Sequence, residues 1–200
     1  MRLKRILKKI LNTPGYLWNK RRFGMFGQNS HLQSPLRIEG GKRIIIHPNV
    51  YIRSNAWLSA VPLTGQDATL IIMSGTVIGD FAHIYSTRRI EIEEKVLMAN
   101  NVYISDNLHS YQDVDKPVID QPILQKNTVR IGRGSWIGEH VAIIGASVGC
   151  HCVVGANSVV THDVPDYCVV AGIPARIIKK YDFQTSSWRR TDMNGNFIDL

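Results

Sequence analysis

One histidine of this chain stands apart from the other six. His109 is the only histidine in the segment SDNLHSYQDVDKPVIDQPILQ, residues 105–125. An imidazole with an ordinary pKa of about 6.5 can take a proton from a hydroxyl near neutral pH, so His109 is a candidate general base. Asp106, Asp113 and Asp115, in the same segment, could orient the ring or hold hydroxyl groups. The competing reading is a solvated loop residue without chemistry. A second cluster is Cys150-His151-Cys152. A structural zinc needs about four ligands, and no second pair exists. With Cys168 the cysteine count is odd, which does not suit a secreted disulfide framework. Small buried or turn residues are the expected role of all three.

The elements that must position these residues come from a repeat of period six. Ile131-Gly132, Ile137-Gly138, Val148-Gly149 and Val154-Gly155 display it. Aliphatic positions then fall in triples: Ile46, Ile52, Leu58; Ile72, Ile78, Ile84; Ile92, Met98, Ile104; Ile131, Ile137, Ile143; Val148, Val154, Val160. Two residues before many of these stands a small or β-branched side chain: Val50, Ala56, Thr76, Ala82, Val96, Val102, Ser135, Ala146, Cys152, Ser158. Residues two apart in a strand share a face, so both sets point inward. Six residues make a short strand and a corner, and three such units close a triangular coil. Successive coils stack through ladder hydrogen bonds, and stacking supplies the buried interior that one coil lacks. Five triples predict about five coils. The glycines suit corners that need positive φ or close backbone approach. The register breaks most between Ile104 and Ile131, twenty-seven residues where one step would be six. Excursions of that length in compact domains usually carry function, and this one contains His109.

Composition excludes other classes. No apolar run approaches the ~18 residues of a membrane span, and no secretory signal pattern is present, so a cytoplasmic location is expected. The net charge of +8 comes from 24 basic and 16 acidic residues. Eight of the basic residues (Arg2, Lys4, Arg5, Lys8, Lys9, Lys20, Arg21, Arg22) lie in the first 22 positions, which hold no acid. The body is therefore neutral, and no nucleic-acid partner is expected, since such a protein carries a basic face on its body.

The segment IGRGSWIGEHVAIIGASVGCHCVVGANSVVTHDVPDYCVVAGIPARIIKKY, Ile131 to Tyr181, closely resembles the hexapeptide-repeat acyltransferases. Within that family the likeness is to the galactoside, maltose, nodulation and surface-polysaccharide O-acetyltransferases, over residues 40–181. The resemblance implies an all-β, left-handed parallel β-helix, a homotrimer and acetyl-CoA as co-substrate, with no metal. It implies His109 as the catalytic base. It also implies acceptor contacts from Asp106, Asn107 and Asp113, and coenzyme contacts from Trp136, Glu139, Ala156, Thr161, Arg176 and Lys179. The family's Lys after the Thr is His162 here, which weakens that phosphate contact. The galactoside enzymes also carry an acceptor-binding Asn near the counterpart of Asp80–Ser86, and none stands there. The segment SDNLHSYQD resembles instead the polysaccharide-modifying branch. The expected activity is acetyl transfer to a sugar hydroxyl of a surface polysaccharide or its lipid-linked precursor. The alternatives are a small sugar or amino-sugar nucleotide as acceptor, or a non-catalytic trimeric scaffold. A γ-class carbonic anhydrase needs two histidines five residues apart. Val114 lies five after His109 and Arg88 five after His83, which disfavours that reading.

At the N-terminus, Leu3, Ile6, Leu7, Ile10 and Leu11 recur at helical spacing among lysines and arginines. Pro14-Gly15 is expected to end this helix, and Trp18 follows. Two readings stand side by side: attachment to an anionic membrane surface, or packing on the solenoid or a neighbouring subunit. The domain organisation expected is a basic arm over 1–40, a β-helix over 41–181 with a protruding catalytic loop at 105–127, and a tail over 182–200.

Overall fold

The computed structural model describes residues 14–65, 67–192 and 195–198. The strands are two to four residues long through most of the chain and follow the period of six. The first coil is β1 (Met25–Phe26), β2 (His31–Leu32) and β3 (Arg37–Glu39). The second is β4 (Ile44–Ile46), β5 (Tyr51–Ile52) and β6 (Trp57–Ala60); the third is β7 (Thr69–Ile72), β8 (Val77–Ile78) and β9 (His83–Ser86). The fourth, β10 (Arg89–Ile92), β11 (Leu97–Met98) and β12 (Tyr103–Ser105), leads into an arm. In the arm β13 (Asn107–His109) pairs antiparallel with β14 (Ile123–Gln125). The fifth coil is β15 (Val129–Ile131), β16 (Trp136–Ile137) and β17 (Ala142–Ile144). Val148, β18 (Val153–Val154) and β19 (Val159–Val160) make the sixth. Val164 and β20 (Cys168–Gly172) begin a seventh, which the antiparallel strands β21 (Ala175–Asp182) and β22 (Ser187–Arg190) close off.

Three parallel sheets form the walls of a prism. Each inward aliphatic stacks on its counterpart one coil away. In the first sheet the column runs Phe26, Ile46, Ile72, Ile92, Ile131, Val148, Val164. In the second it runs Leu32, Ile52, Ile78, Met98, Ile137, Val154, Val170. In the third it runs Ile38, Leu58, Ile84, Ile104, Ile143, Val160. The five expected triples are therefore in register, and the fold holds one full coil before them. Phe26, Leu32 and Ile38 are also six apart. The coil thus starts inside the segment assigned to the arm, and residues 182–190 extend the second sheet rather than trailing from it.

The small residues two before each aliphatic are all buried. Where they carry a hydroxyl, it fastens one coil to the next. Thr76 Oγ1 donates to the Glu93 carbonyl at 2.7 Å and accepts from the Val96 amide at 3.3 Å. Ser135 Oγ donates to the Gly149 carbonyl at 2.8 Å and accepts from the Cys152 amide at 2.9 Å. A buried hydroxyl so placed leaves no polar group unpaired. At several corners an Asn adopts left-handed φ, as Asn49, Asn55, Asn101 and Asn157 do, the non-glycine residue best suited to it.

The cysteines do not converge with His151. Cys152 and Cys168 lie one above the other in the core, with the Cys168 amide 3.5 Å from Cys152 Sγ, while His151 stacks on Tyr167. Burial pushes the Cys152 thiol up to about 11.

At the N-terminal end, α1 (Pro14–Arg22) covers the first coil. Tyr16 meets Phe26 edge-on at 5.8 Å, and buried Phe23 stacks on Phe26 at 5.7 Å. Pro14 opens this helix, a position where its missing N–H costs nothing. The stripe from Leu3 to Leu11 lies outside the described residues. No helix among the described residues is long and apolar enough to cross a membrane.

Candidate active site

The arm leaves the prism between the fourth and fifth coils, and Asp106 fixes its base. This residue is fully buried. Its Oδ1 accepts from the Thr87 amide (2.8 Å), Thr87 Oγ1 (3.0 Å) and Asn107 Nδ2 (3.1 Å). Its Oδ2 accepts from the Arg88 amide (2.9 Å), the Arg89 amide (2.8 Å) and Ser86 Oγ (3.2 Å). The carboxylate is thereby saturated and tied to the turn after β9. This corrects the expectation that Asp106 binds acceptor hydroxyls: it anchors the arm. Gln125 adds a second tie, donating to the Asp106 carbonyl at 2.7 Å while its Oε1 accepts from Thr64 Oγ1 and lies 3.0 Å from Thr87 Oγ1. Through Thr64 the arm touches the 61–68 excursion, the other long departure from the coil.

These two excursions wall a groove of about 480 Å³ over the outward face of the third sheet. His109, Leu108 and Ile123 of the arm and Leu63 of the 61–68 excursion form its sides. His109 is exposed there at the end of β13, opposite Ile123. Asn107 also lines the groove; its main-chain N–H donates to Ser105 Oγ and its side-chain Nδ2 to Asp106 Oδ1. Asp113 does not line it. That residue sits farther along the arm, paired with Lys116 at 2.9 Å and clamped by Gln121, so its expected acceptor contact is not formed by this geometry. Asp115 is exposed beside it.

The floor is a column of side chains that precede the inward aliphatics of the third sheet by one. In register they are Arg37, Trp57, His83 and Tyr103. The Arg37 guanidinium lies 4.7 Å above the Trp57 ring, and Trp57 stacks on His83 at 4.2 Å. In the adjoining column Glu39 Oε2 accepts from Ser59 Oγ at 2.6 Å and Trp57 Nε1 at 3.0 Å. The Ser59 hydrogen bond, with Trp57 and the Arg37 charge, holds the Glu39 carboxyl below the usual carboxylate range. His83 Nε2 is buried and without a hydrogen-bond partner, and burial pushes its imidazole below the ordinary range despite Glu39 nearby. Burial likewise raises Tyr85. None of these floor residues was singled out in the sequence for site chemistry. The signal was present, because positions one before Ile38, Leu58, Ile84 and Ile104 hold Arg, Trp, His and Tyr.

The coenzyme candidates lie below, on the fifth to seventh coils. Trp136 is half-exposed on the outward face of the second sheet. Glu139 and Ala156 stack at the corner between the second and third sheets, where the Asn157 amide donates to the Glu139 carbonyl at 2.8 Å and Asn100 Nδ2 to Glu139 Oε1 at 3.0 Å. Arg176 pairs with Ala171 in register just beneath, and Lys179 follows on the same strand, opposite Arg190. Thr161 stands at a different corner of its coil, after β19, where its hydroxyl meets His162 Nδ1 at 3.0 Å.

Residues 128–162 match the family model described as hexapeptide repeat of succinyl-transferase. The chain is also similar to the protein named "Probable acetyltransferase Rv3034c" of Mycobacterium tuberculosis: 30% identical over 210 residues, covering 99% of this chain and 69% of that one. The chain belongs to the hexapeptide-repeat acyltransferases. With membership come the left-handed sense of the coil and the acetyltransferase class. A second relative of this acyltransferase chain is named "Putative lipopolysaccharide biosynthesis O-acetyl transferase WbbJ" in Escherichia coli K12. It is 39% identical over 120 residues, 56% of this chain and 61% of that protein. Among solved structures, a hexapeptide-repeat acetyltransferase of Vibrio cholerae complexed with acetyl coenzyme A superposes with a TM-score of 0.55. It is 26% identical and covers 90% of this chain and 85% of that one.

Proposed function

We propose that this protein moves an acetyl group from acetyl-CoA to a sugar hydroxyl of a surface polysaccharide or its lipid-linked precursor, with His109 as general base. The observation that carries the reading is an order along the axis of the prism. The aromatic and polar groove occupies the first four coils, and the expected coenzyme positions occupy the fifth to seventh. The arm bearing His109 leaves between them. A hydroxyl lying in the groove and a thioester rising along the Trp136–Glu139–Ala156 corner would meet at that level.

The chemistry balances with these groups. His109 takes the hydroxyl proton as the oxygen attacks the thioester carbonyl. The tetrahedral adduct then collapses, the C–S bond breaks, and the departing thiolate recovers the proton from the imidazolium. An acetyl ester and free coenzyme result. Arg176 and Lys179 suit coenzyme phosphates through charge-assisted hydrogen bonds. The active species is a homotrimer, supported by the half-exposed Tyr51, Leu97 and Trp136 in one outward column of the second sheet. The basic N-terminal segment holds the protein at an anionic membrane surface. Exposed Trp18 and Leu17 beside Lys20 and Arg21 on α1 support that role. The test is release of coenzyme thiol from acetyl-CoA in the presence of a panel of bacterial surface-glycan repeat units. Turnover dependent on one glycan is expected. No glycan-dependent release across the panel defeats the reading.

A further inference from the structure

The groove extends well beyond the reach of one sugar ring. Its floor column passes from Tyr103, next to the arm, through His83 and Trp57 to Arg37 on the first coil. Three strand spacings of ~4.8 Å place the Arg37 rung roughly 14 Å from the Tyr103 rung. A single pyranose in contact with His109 would leave the upper coils unused, yet those coils carry the Arg37 guanidinium and the Glu39 carboxylate of the groove.

That upper end is built. Arg37 lies over Trp57, with its guanidinium 3.6 Å from Glu39 Oε1. Ser59 and Trp57 hold Glu39 Oε2, which fixes the carboxylate plane. Both faces of the Trp57 ring are covered, one by Arg37 and one by His83. A ligand there meets ring edges, a guanidinium with several N–H donors and a carboxylate oxygen, not a free stacking face. Donors and an acceptor held side by side and already oriented suit vicinal hydroxyls and ring oxygens, and orientation before binding lowers its entropic cost. Leu63 closes the side of the groove.

We infer that the groove binds an oligosaccharide segment: the reacting sugar lies between Tyr103 and His109, and a neighbouring sugar of the same chain occupies a distal subsite made by Arg37, Glu39 and Trp57. This rests on the proposed acetyl transfer to a glycan and specifies that the acceptor is an extended chain, not a free monosaccharide or its nucleotide. His83 sits between the two subsites, a half-buried ring stacked under Trp57 and edge-on to Tyr85.

The test uses the panel glycan that accepts acetyl, cut into fragments of one to four sugar residues, with kcat/KM measured for each against acetyl-CoA. The trisaccharide is expected to exceed the monosaccharide by about tenfold or more, the scale of one or two hydrogen bonds to charged groups. In Arg37→Ala that advantage should shrink to about threefold or less, and Glu39→Gln should move it the same way. Both side chains lie at the surface, and an unchanged melting temperature confirms an intact fold. Equal kcat/KM for the monosaccharide and trisaccharide on the native protein overturns the subsite. So does a full length advantage retained in both variants. Absence of transfer to every glycan overturns the proposed function itself, and the subsite with it.

Discussion

At the scale of single residues, His109 and Asp106 divide the work of the arm, and their replacements should fail differently. His109 is exposed and packs against little, so His109→Ala should keep the melting temperature of the native protein. Its turnover should fall by about 10²–10⁴, the usual value of a positioned base. A folded variant with near-native thiol release on the true acceptor would remove His109 from the chemistry. Asp106→Ala should instead be a stability variant. It strips the acceptor from the amides of Thr87, Arg88 and Arg89 in a buried site. Each unpaired amide costs about 1–3 kcal/mol, so a total of roughly 3 kcal/mol or more is expected. Thermal melts and proteolysis of the arm measure it; a loss under about 1 kcal/mol would mean that water replaces the carboxylate. The sequence identified the histidine because it stood alone in a long break of the repeat. It could not separate Asp106 from Asp113, since both are acids a few residues from His109. Burial against the Ser86–Arg89 turn tells them apart, and that turn is remote in sequence. Arg37, Trp57, His83 and Tyr103 were missed for a related reason: period six was used to find the inside of the prism, and its neighbours one position away were left as plain exterior.

At the scale of strands and coils, the repeat dictates both contact and tolerance. The stacked aliphatic columns were legible because the spacing of six leaves only one face for burial. The coil Phe26, Leu32, Ile38 was less so, since an aromatic heads it and the step from Ile38 to Ile46 is eight residues instead of six. The glycines were read as corner residues in general, and the structure sorts them. At Gly132 an added Cβ would stand 2.4 Å from the Gly149 carbonyl carbon and 2.5 Å from the Cys150 amide nitrogen, both main chain of the next coil. Neither atom can yield without parting the ladder. Gly132→Ala should therefore destabilise by about 1–3 kcal/mol, read by denaturant unfolding. A neutral result would show that the coils can separate locally without penalty.

At the scale of the whole molecule, α1 does two things that must be tested apart. It lids the first coil through Tyr16 and Phe23, so removing it entirely would confuse loss of binding with loss of fold. Trp18→Ala combined with Lys20→Gln and Arg21→Gln alters only exposed side chains. Each cation at an anionic surface contributes about 1 kcal/mol, so this variant should bind anionic vesicles at least about tenfold more weakly. Native binding should also fall steeply with salt. Native protein that stays in the supernatant at low salt would assign the helix to packing alone. Light scattering should give three chains per particle; a fully active monomer would remove the homotrimer from the proposed mechanism. The reversal of chain direction at the other end has its own effect. A stack of parallel strands is a template, and a second molecule arriving end-on could in principle continue it, copy after copy, into a fibre. In the second sheet β20 is followed by β21 and β22, each antiparallel to the strand before it, so among the described residues this wall stands two strands beyond the other two and offers no level three-sided rim for another coil to seat on. Lys179 and Arg190, facing each other across the last two strands, add charge to the same rim, and like charge on an outermost strand repels its copies. The end of the stack is thus written into β21 and β22, while coils before them could multiply or shrink over evolutionary time without disturbing that boundary.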